Sequence, residues 1–446
     1  MATTPKRPVA VLIGTRPEAI KLAPVIRALG EAGVPPSVLL TGQHVQLVQP
    51  VLADLGIAPV ENLSLMEPGQ SLGDLSARLL SGIQSLFAQH RPRAVVVQGD
   101  TTTVAMGALS AFYMGIPVAH VEAGLRTGDS RNPFPEETNR RLVACLASLH
   151  FAPTERARGN LLRENVPDAR IRVVGNTVVD ALAHARGHLL PSLPPDPRIE
   201  AILGGGRPLV LVTAHRRESF GADLASLCRG IRDLAGAFRD AIMVFPVHLN
   251  PAVQSVVRSR LGDVPNVQLL DPLPYLRFLQ LLLEAKLVIT DSGGVQEEAA
   301  ILGIPFLVAR RTTERPEGVE AGVGELVGPD AGPLFDAARR LLTDEVEYRR
   351  RAVPTRAFGD GSAAERIAAA VIADLLGGTG ARGALPVGLA TRRTRDERAQ
   401  GPWSGGGRPR RHGTGPDLRH RCARPGPGNG DGSAPRKGRG AGGHQL

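Results

Sequence analysis

Two short stretches of this chain have the make-up of anion-binding turns. Thr290-Asp291-Ser292-Gly293-Gly294-Val295-Gln296-Glu297-Glu298 follows an apolar run, Ala285 to Ile289, that reads as a buried strand, and it opens Val295 to Leu302, which reads as a helix. Ser292, Gly293 and Gly294 therefore lie where a strand hands over to a helix. Free backbone N–H groups and the positive end of the helix dipole favour phosphate at such a place, and glycine lets the backbone approach a ligand closely. Glu298, one turn on, is spaced to reach a hydroxylated group beside that phosphate. In isolation, a plain βα turn capped by Ser292 is the better explanation of the stretch. It loses ground because Gly14-Thr15-Arg16-Pro17-Glu18 has the same character in the other half of the chain. Arg16 there can bind phosphate through two parallel hydrogen bonds; a salt bridge with Glu18 is the plainer role, disfavoured because Arg16 sits at a strand end.

Acid/base candidates also sit at strand ends. Asp100 follows Ala94 to Val97 and precedes three threonines, Glu122 ends Val118 to Val121, and Glu136 follows Pro135 at the start of a helix. Asp100 could simply cap a helix, Glu136 could complement a helix dipole, and His215, beside Arg216 and Arg217, could be a satisfied structural histidine. Glu122 resists such a reading, because glutamate has poor β propensity and has no capping task there. Carboxylates converging on one cleft repel each other, so one of them is expected to stay protonated near neutral pH and to supply an acid beside a base. The chain has no GxxxxGK[ST], no HExxH and no DxD, which argues against P-loop and metal chemistry. The residues describe a site that needs no metal or cofactor, binds a diphosphate between two domains and offers acid/base carboxylates. A nucleotide-sugar is the natural substrate, with proton transfer at a sugar carbon or cleavage of the anomeric C–O bond.

The elements needed to hold these residues are legible. Pro8 to Ile13 is a continuous apolar run, as in a strand buried on both faces, and Pro17 starts a helix reaching about Ala32. Val38 to Leu40 is a strand that turns through Thr41-Gly42-Gln43-His44 into a helix; another helix spans about Ser71 to Gln89, and Ile171 to Val174 closes the first half. Prolines 191, 194, 195 and 197 and Gly204-Gly205-Gly206 mark 187–208 as a linker. The pattern then restarts, with strands at Leu209 to Val212, Ile242 to Phe245, Val267 to Leu270 and Phe306 to Val308, a helix at Pro274 to Leu283 and a last helix from about Ala363 to Leu376. Strands alternating with helices predict an α/β fold of doubly wound parallel sheets, whose ligands bind beyond the carboxyl ends of the strands. Arg16, Gln43, His44, Asp100 and Glu122 all fall there. The predicted domains are 1–186 and 209–362, with 187–208 between them, 363–377 as a C-terminal helix and 378–446 as a disordered tail.

The charge of +10 sits in that tail: residues 381–446 hold 14 Lys and Arg against 4 Asp and Glu, while the preceding part holds 39 of each sign. The high isoelectric point therefore says nothing about the partner of the folded body, and no nucleic-acid partner is expected. Three scattered cysteines (Cys145, Cys228, Cys422) form no CxxC pair, which fits a reducing compartment. With no apolar leader and no run long enough to span a bilayer, the expectation is a soluble cytoplasmic protein away from membranes.

Gly14-Thr15-Arg16-Pro17-Glu18-Ala19-Ile20-Lys21, Gln98-Gly99-Asp100-Thr101-Thr102, His120-Val121-Glu122-Ala123-Gly124-Leu125-Arg126-Thr127, Pro135-Glu136-Glu137, His215-Arg216-Arg217-Glu218-Ser219-Phe220 and Thr290-Asp291-Ser292-Gly293-Gly294 resemble, in order and over roughly residues 8–376, the non-hydrolysing UDP-N-acetylglucosamine 2-epimerases. The resemblance implies a GT-B-type fold, two Rossmann-like domains facing across a cleft, and a homodimer. It implies that UDP-GlcNAc and UDP-ManNAc interconvert through loss of the C2 proton, elimination of UDP to a bound 2-acetamidoglucal, and re-addition, which supplies ManNAc-type sugars for cell-surface polysaccharide. By this match Asp100, Glu122 and Glu136 are the acid/base groups and His215 contacts the diphosphate. Arg16, Ser292, Gly293 and Gly294 hold phosphate, Phe278 and Glu298 hold uracil and ribose, and Lys21, Gln43, His44 and Arg315 belong to the same substrate site. Gln43, Gln46 and His248 match positions of a second, allosteric UDP-GlcNAc site in some members. The chain departs from the family pattern at Val323 and Phe358, and its tail has no counterpart. A GT-B glycosyltransferase using the same nucleotide site, a hydrolysing epimerase and a catalytically silent nucleotide-sugar sensor are the competing readings.

Overall fold

The structure is a computed structural model that describes residues 9–42, 45–65, 67, 69–214 and 221–377. The expectations for Gln43, His44, His215 and the tail 378–446 fall outside the described residues. The chain runs β1 (Val9–Ile13), α1 (Arg16–Glu31), β2 (Pro36–Leu40), α2 (Val45–Asp54), β3 (Glu61–Asn62), α3 (Leu72–His90) and β4 (Ala94–Gln98). It continues through α4 (Thr102–Tyr113), β5 (Val118–Val121), α5 (Glu136–Leu146), β6 (Leu149–Ala152), α6 (Glu155–Arg163), β7 (Ile171–Val173), α7 (Thr177–His184) and α8 (Pro197–Leu203). Then follow β8 (Leu209–Thr213), α9 (Ala222–Ala237), β9 (Ile242–Pro246), α10 (Pro251–Leu261), β10 (Val267–Leu270), α11 (Tyr275–Leu283), β11 (Ala285–Thr290) and α12 (Gly293–Leu302). The last elements are β12 (Phe306–Val308), α13 (Glu317–Glu320), β13 (Gly324–Leu326), α14 (Ala331–Thr343), α15 (Glu345–Arg351) and α16 (Ala363–Ala370), which a π-helical stretch, Val371–Leu376, extends. The stretch 187–208, read from sequence as a linker, contains α8.

The strands form two parallel sheets, in the orders β3-β2-β1-β4-β5-β6-β7 and β10-β9-β8-β11-β12-β13. Each is doubly wound, as in the GT-B arrangement: the order reverses between β1 and β4 in the first and between β8 and β11 in the second. Helices on both faces explain the unbroken apolar strands. Every residue of β1 is fully buried, and alternate side chains feed different cores: Val9, Val11 and Ile13 one, Ala10 and Leu12 another. The first of these cores also takes in Leu209, Leu211 and Phe306 from the second sheet, so apolar packing is continuous between the halves.

Several elements had no clear sequence signal. β3, β6 and β13 have 2, 4 and 3 residues, too short for a period to show. The helices α4, α6 and α7 are held at their starts by side-chain caps from Thr101, Thr154 and Asn176. Val323 and Phe358, the two departures from the family pattern, are both buried core residues.

The chain returns to the first half at its end: α16 packs on α1 and α7, Ala364 N–H donates to Asp180 Oδ1 at 2.9 Å, and Arg366 reaches the Val174 carbonyl at 3.0 Å. At this crossing Asn176 N–H donates to the Phe358 carbonyl at 2.7 Å. Gly175 (φ +95°) and Gly359 (φ +117°) lie back to back there. Both dihedrals are strained for any other residue, and a Cβ on Gly359 would sit 3.0 Å from the Gly175 Cα. Gly359→Ala is expected to destabilise the protein by about 1–3 kcal/mol, read as a lower melting temperature; an unchanged melting temperature would show that the crossing tolerates a side chain.

Candidate functional site

The two sheets present their carboxyl ends to each other. The turns that follow the reversing strands β1, β4 and β11 carry Arg16, Asp100 and Ser292-Gly293-Gly294, as expected where strand order reverses.

At the first turn, Glu18 folds back to accept the N–H groups of Gly14 (2.5 Å) and Thr15 (3.1 Å), and the Thr101 hydroxyl donates to its other oxygen at 2.6 Å. The turn after β1 is thereby pinned to the turn after β4. The plainer alternative, an Arg16–Glu18 salt bridge, is not what forms. Glu18 turns to the backbone, and Arg16 reaches across to the other half of the chain, donating to the Leu273 carbonyl at 3.0 Å. The backbone groups of Gly14 and Thr15 are engaged by a carboxylate, so Arg16 is what this turn offers to a phosphate.

Two buried residues of the second half, Tyr275 on α11 and Glu298 on α12, lie close enough to Arg16 to act on its charge, and Phe278 is buried on the same helix as Tyr275. Burial pushes the Glu298 carboxyl up to about 7, with the Tyr275 hydroxyl and Arg16 pulling the other way. Ser292 is the residue before α12, but its side chain makes no capping hydrogen bond; its N–H donates to the Thr290 hydroxyl at 2.9 Å. The plain reading of a Ser292-capped turn is therefore not what forms. The amides of Gly293 and Gly294, in the first helical turn, have no carbonyl partner within the helix.

Glu122 is the geometric centre. It is 8% exposed and, at φ +63°, one of four non-glycine residues in the left-handed region among those described. Such strain persists only where surrounding contacts over-determine it. Those contacts are Lys21 at 2.5 Å and Gln98 Nε2 at 2.9 Å on one carboxylate oxygen, and Arg315 Nη2 at 3.1 Å on the other. Lys21 also pairs with Glu297 at 2.8 Å, and Arg315 Nε donates to the second Glu297 oxygen at 2.6 Å. Two carboxylates and two cations thus alternate around a ring, with Lys21 and Glu122 from the first half and Glu297 and Arg315 from the second. Burial opposes the charge on Lys21, but Glu122 and Glu297 outweigh it and raise the ammonium above its ordinary value. Burial likewise disfavours ionised Glu297, and Arg315 and Lys21 outweigh it in the other direction. The Arg315 guanidinium lies against Gly293, where a Cβ would come within 2.3 Å of Nη1. The ring and the start of α12 therefore share one wall.

Asp100 does not cap α4; Thr101 does, accepting the Val104 N–H. Arg140 binds Asp100 instead, at 2.6 and 2.8 Å. Burial would raise the Asp100 carboxyl, but Arg140 and Arg315 hold it below its ordinary value. The expectation that converging carboxylates leave one of them protonated by mutual repulsion is corrected here. Cations separate the carboxylates, and the acids pushed up to about 7 are Glu18 and Glu298, each chiefly by burial. Glu136 opens α5 in a half-buried position. Its neighbour Glu137 is fully buried and accepts the N–H groups of Thr127 and Gly128 at 3.1 and 3.2 Å.

His248 lies just past β9, exposed, its Nδ1 accepting the Asn250 N–H at 3.1 Å. Gln46 falls in the first turn of α2. Among the described residues no group of three or more His, Cys, Asp or Glu is arranged to hold a metal ion, and no helix is long and apolar enough to cross a membrane. The residues missed from sequence are Glu297, Arg140, Gln98, Glu18 and Asn176. Nothing local marks Glu297: two adjacent acids beside Gln296 equally suit an exposed polar face of a helix.

Glu18 and Glu298 bind protons more tightly folded than unfolded. Between pH 4.5, the ordinary glutamate value, and about 7 the native state holds more protons. Stability is therefore lost as pH rises through that window, on the order of 3 kcal/mol per group. Glu298→Gln removes one of the two, so the fall in melting temperature from pH 5 to pH 7 should be smaller in the variant; an identical fall would show that Glu298 is ionised throughout.

The model of the UDP-N-acetylglucosamine 2-epimerase family matches residues 27–372. The UDP-N-acetylglucosamine 2-epimerase of Escherichia coli K12 is 46% identical over 367 residues, 80% of this chain and 96% of that protein. Among solved structures, the UDP-GlcNAc 2-epimerase of Neisseria meningitidis bound to UDP-GlcNAc superposes with a TM-score of 0.77 at 38% identity, covering 82% of this chain and 99% of that one. The Methanocaldococcus jannaschii enzyme in complex with UDP-GlcNAc and UDP gives 0.73 at 34% identity, covering 82% and 99%. Coverage runs across both sheets and nearly the whole length of each relative, and on that ground the chain belongs to the UDP-N-acetylglucosamine 2-epimerase family.

Proposed function

We propose that this protein reversibly epimerises UDP-GlcNAc to UDP-ManNAc at C2. A base takes the C2 proton, the C1–O bond to UDP breaks with the electron pair leaving on the diphosphate, and a C1=C2 double bond forms. UDP then adds back to C1 as C2 is reprotonated on the opposite face. The observation that carries the reading is the junction at Glu122: a strained, buried carboxylate linked through Arg315 to the glycine start of α12, a helix start suited to a diphosphate.

In this reading Asp100, Glu122 and Glu136 exchange the C2 protons. Asp100, kept ionised by Arg140 and Arg315, suits the base in one direction. Arg16, His215 and the amides of Gly293 and Gly294, with Ser292, take the diphosphate. Phe278 takes the uracil and Glu298 the ribose hydroxyls, while Lys21, Arg315, Gln43 and His44 surround the sugar. Gln43, Gln46 and His248 would form the second UDP-GlcNAc site. The halves 1–186 and 209–362, joined by 187–208, act as two jaws, with 363–377 returning to the first. We place the protein in the cytoplasm, where nucleotide-sugars are made, as a homodimer; exposed Phe112, Tyr113 and Met114 at the end of α4 and exposed Leu142 on the neighbouring α5 support an apolar partner face.

Incubation with UDP-GlcNAc in deuterated water, followed by NMR, should give UDP-ManNAc carrying deuterium at C2. Free ManNAc with UDP would establish the hydrolysing reaction instead, and bound but unchanged substrate would sink the epimerase reading. Gly293→Ala, which drives Arg315 off its place, is expected to lower kcat/KM by about 100-fold, roughly 2.7 kcal/mol of transition-state stabilisation; an effect under about threefold would mean that Arg315 works without that seat.

A further inference from the structure

Glu297 is buried, ionised and unassigned. It stands next to Glu298 in sequence, but successive helical residues point about 100° apart, and the two acids serve different neighbours. Glu298 faces Arg16 and Tyr275 on the nucleotide side. Glu297 turns to Lys21 of α1, to Arg315 after β12, and to Asn176, whose Nδ2 donates to the same oxygen as Arg315 Nε, at 3.1 and 2.6 Å. Asn176 is also the residue whose N–H holds the Phe358 carbonyl at the glycine crossing. One carboxylate therefore ties together the helix that starts at the phosphate turn, the crossing between the halves, and the cations that hold Glu122.

We infer that Glu297 is a positioning residue that latches the two halves of the molecule together over the reacting sugar, and so keeps the eliminated intermediate in the cleft. Its activity readout rests on the epimerase reading. Parting of the halves would leave Arg315 with Glu297, since both belong to the second half, but would strip Lys21 and Asn176 from it. Lys21 would keep only Glu122, and Glu122 would lose Arg315. Buried ion pairs tolerate the loss of a partner poorly, so the ring is stable only when closed, and it closes around Glu122. An inert buried counter-ion would affect stability and overall rate, but would leave unchanged how often the intermediate escapes.

The test compares full-length wild type with Glu297→Gln, which keeps the shape and removes the charge, and Glu297→Asp, which keeps the charge on a shorter arm. Binding of UDP measured by calorimetry should stay within about threefold, because the start of α12 and Glu298 are intact. With UDP-GlcNAc as substrate, released 2-acetamidoglucal relative to UDP-ManNAc should rise about tenfold or more in Glu297→Gln, with Glu297→Asp between it and wild type. Small-angle scattering with saturating UDP should give a larger radius of gyration for Glu297→Gln. Wild-type partitioning together with a wild-type radius would overturn the latch. Should wild type make no UDP-ManNAc, the epimerase reading fails, and the scattering comparison alone decides the latch: a larger radius upholds it and an equal one overturns it. Should Glu297→Gln not fold, Glu297→Asp carries the same comparisons.

Discussion

The site depends on a ring of four buried charges in which Lys21 and Arg315 each sit between Glu122 and Glu297. Each of these ions is costly to remove from water, and a single buried pair rarely recovers that cost. Here every charge has two opposite neighbours, and Gln98, Asn176 and Glu314 add further hydrogen bonds. The arrangement requires both halves of the chain, so the same contacts that satisfy the ions also hold the cleft together.

Topology explains why the ring forms where it does. In a doubly wound parallel sheet the connections diverge where strand order reverses, leaving a crevice at the carboxyl ends. Two such sheets with their crevices opposed bring together turns from distant parts of the chain. The details are then local. Glu18 pins the turn after β1 to the turn after β4, Thr213 and Thr290 join β8 to β11 through their hydroxyls at 2.6 Å, and Glu137 gathers the loop at Thr127 and Gly128. Lys21, Gln98 and Arg315 then hold Glu122 at a backbone angle that glutamate alone would avoid.

The electrostatics differ from what a cluster of acids suggests. Like-charge repulsion would leave one carboxylate protonated, but Arg140, Lys21 and Arg315 interleave with Asp100, Glu122 and Glu297. The site is a salt lattice into which an anionic substrate must fit; under the proposed function, diphosphate at the start of α12 would add negative charge beside Arg315. The two acids raised toward neutral pH, Glu18 and Glu298, lie at its edges, one bound to backbone amides and the other beside Tyr275 and Arg16.

By itself the sequence determined the strands β1, β4, β5, β8, β9 and β11, the parallel two-sheet class and the positions of Arg16, Asp100, Glu122 and the Ser292-Gly293-Gly294 turn. Unbroken apolar runs have one comfortable environment, a strand covered on both faces, and polar residues that interrupt them at the same end mark one edge of the sheet. What only the tertiary structure decided is which charges meet. Lys21 and Glu122 are 101 residues apart, and Glu122 and Arg315 are 193 apart, so no local spacing announces the pairs. Glu297, Arg140 and Asn176 likewise meet partners that lie elsewhere in the chain: Lys21, Asp100 and Glu297. A side chain's type and local period follow from its neighbours in sequence, but its charge partner is chosen by the packing of elements that local sequence does not relate.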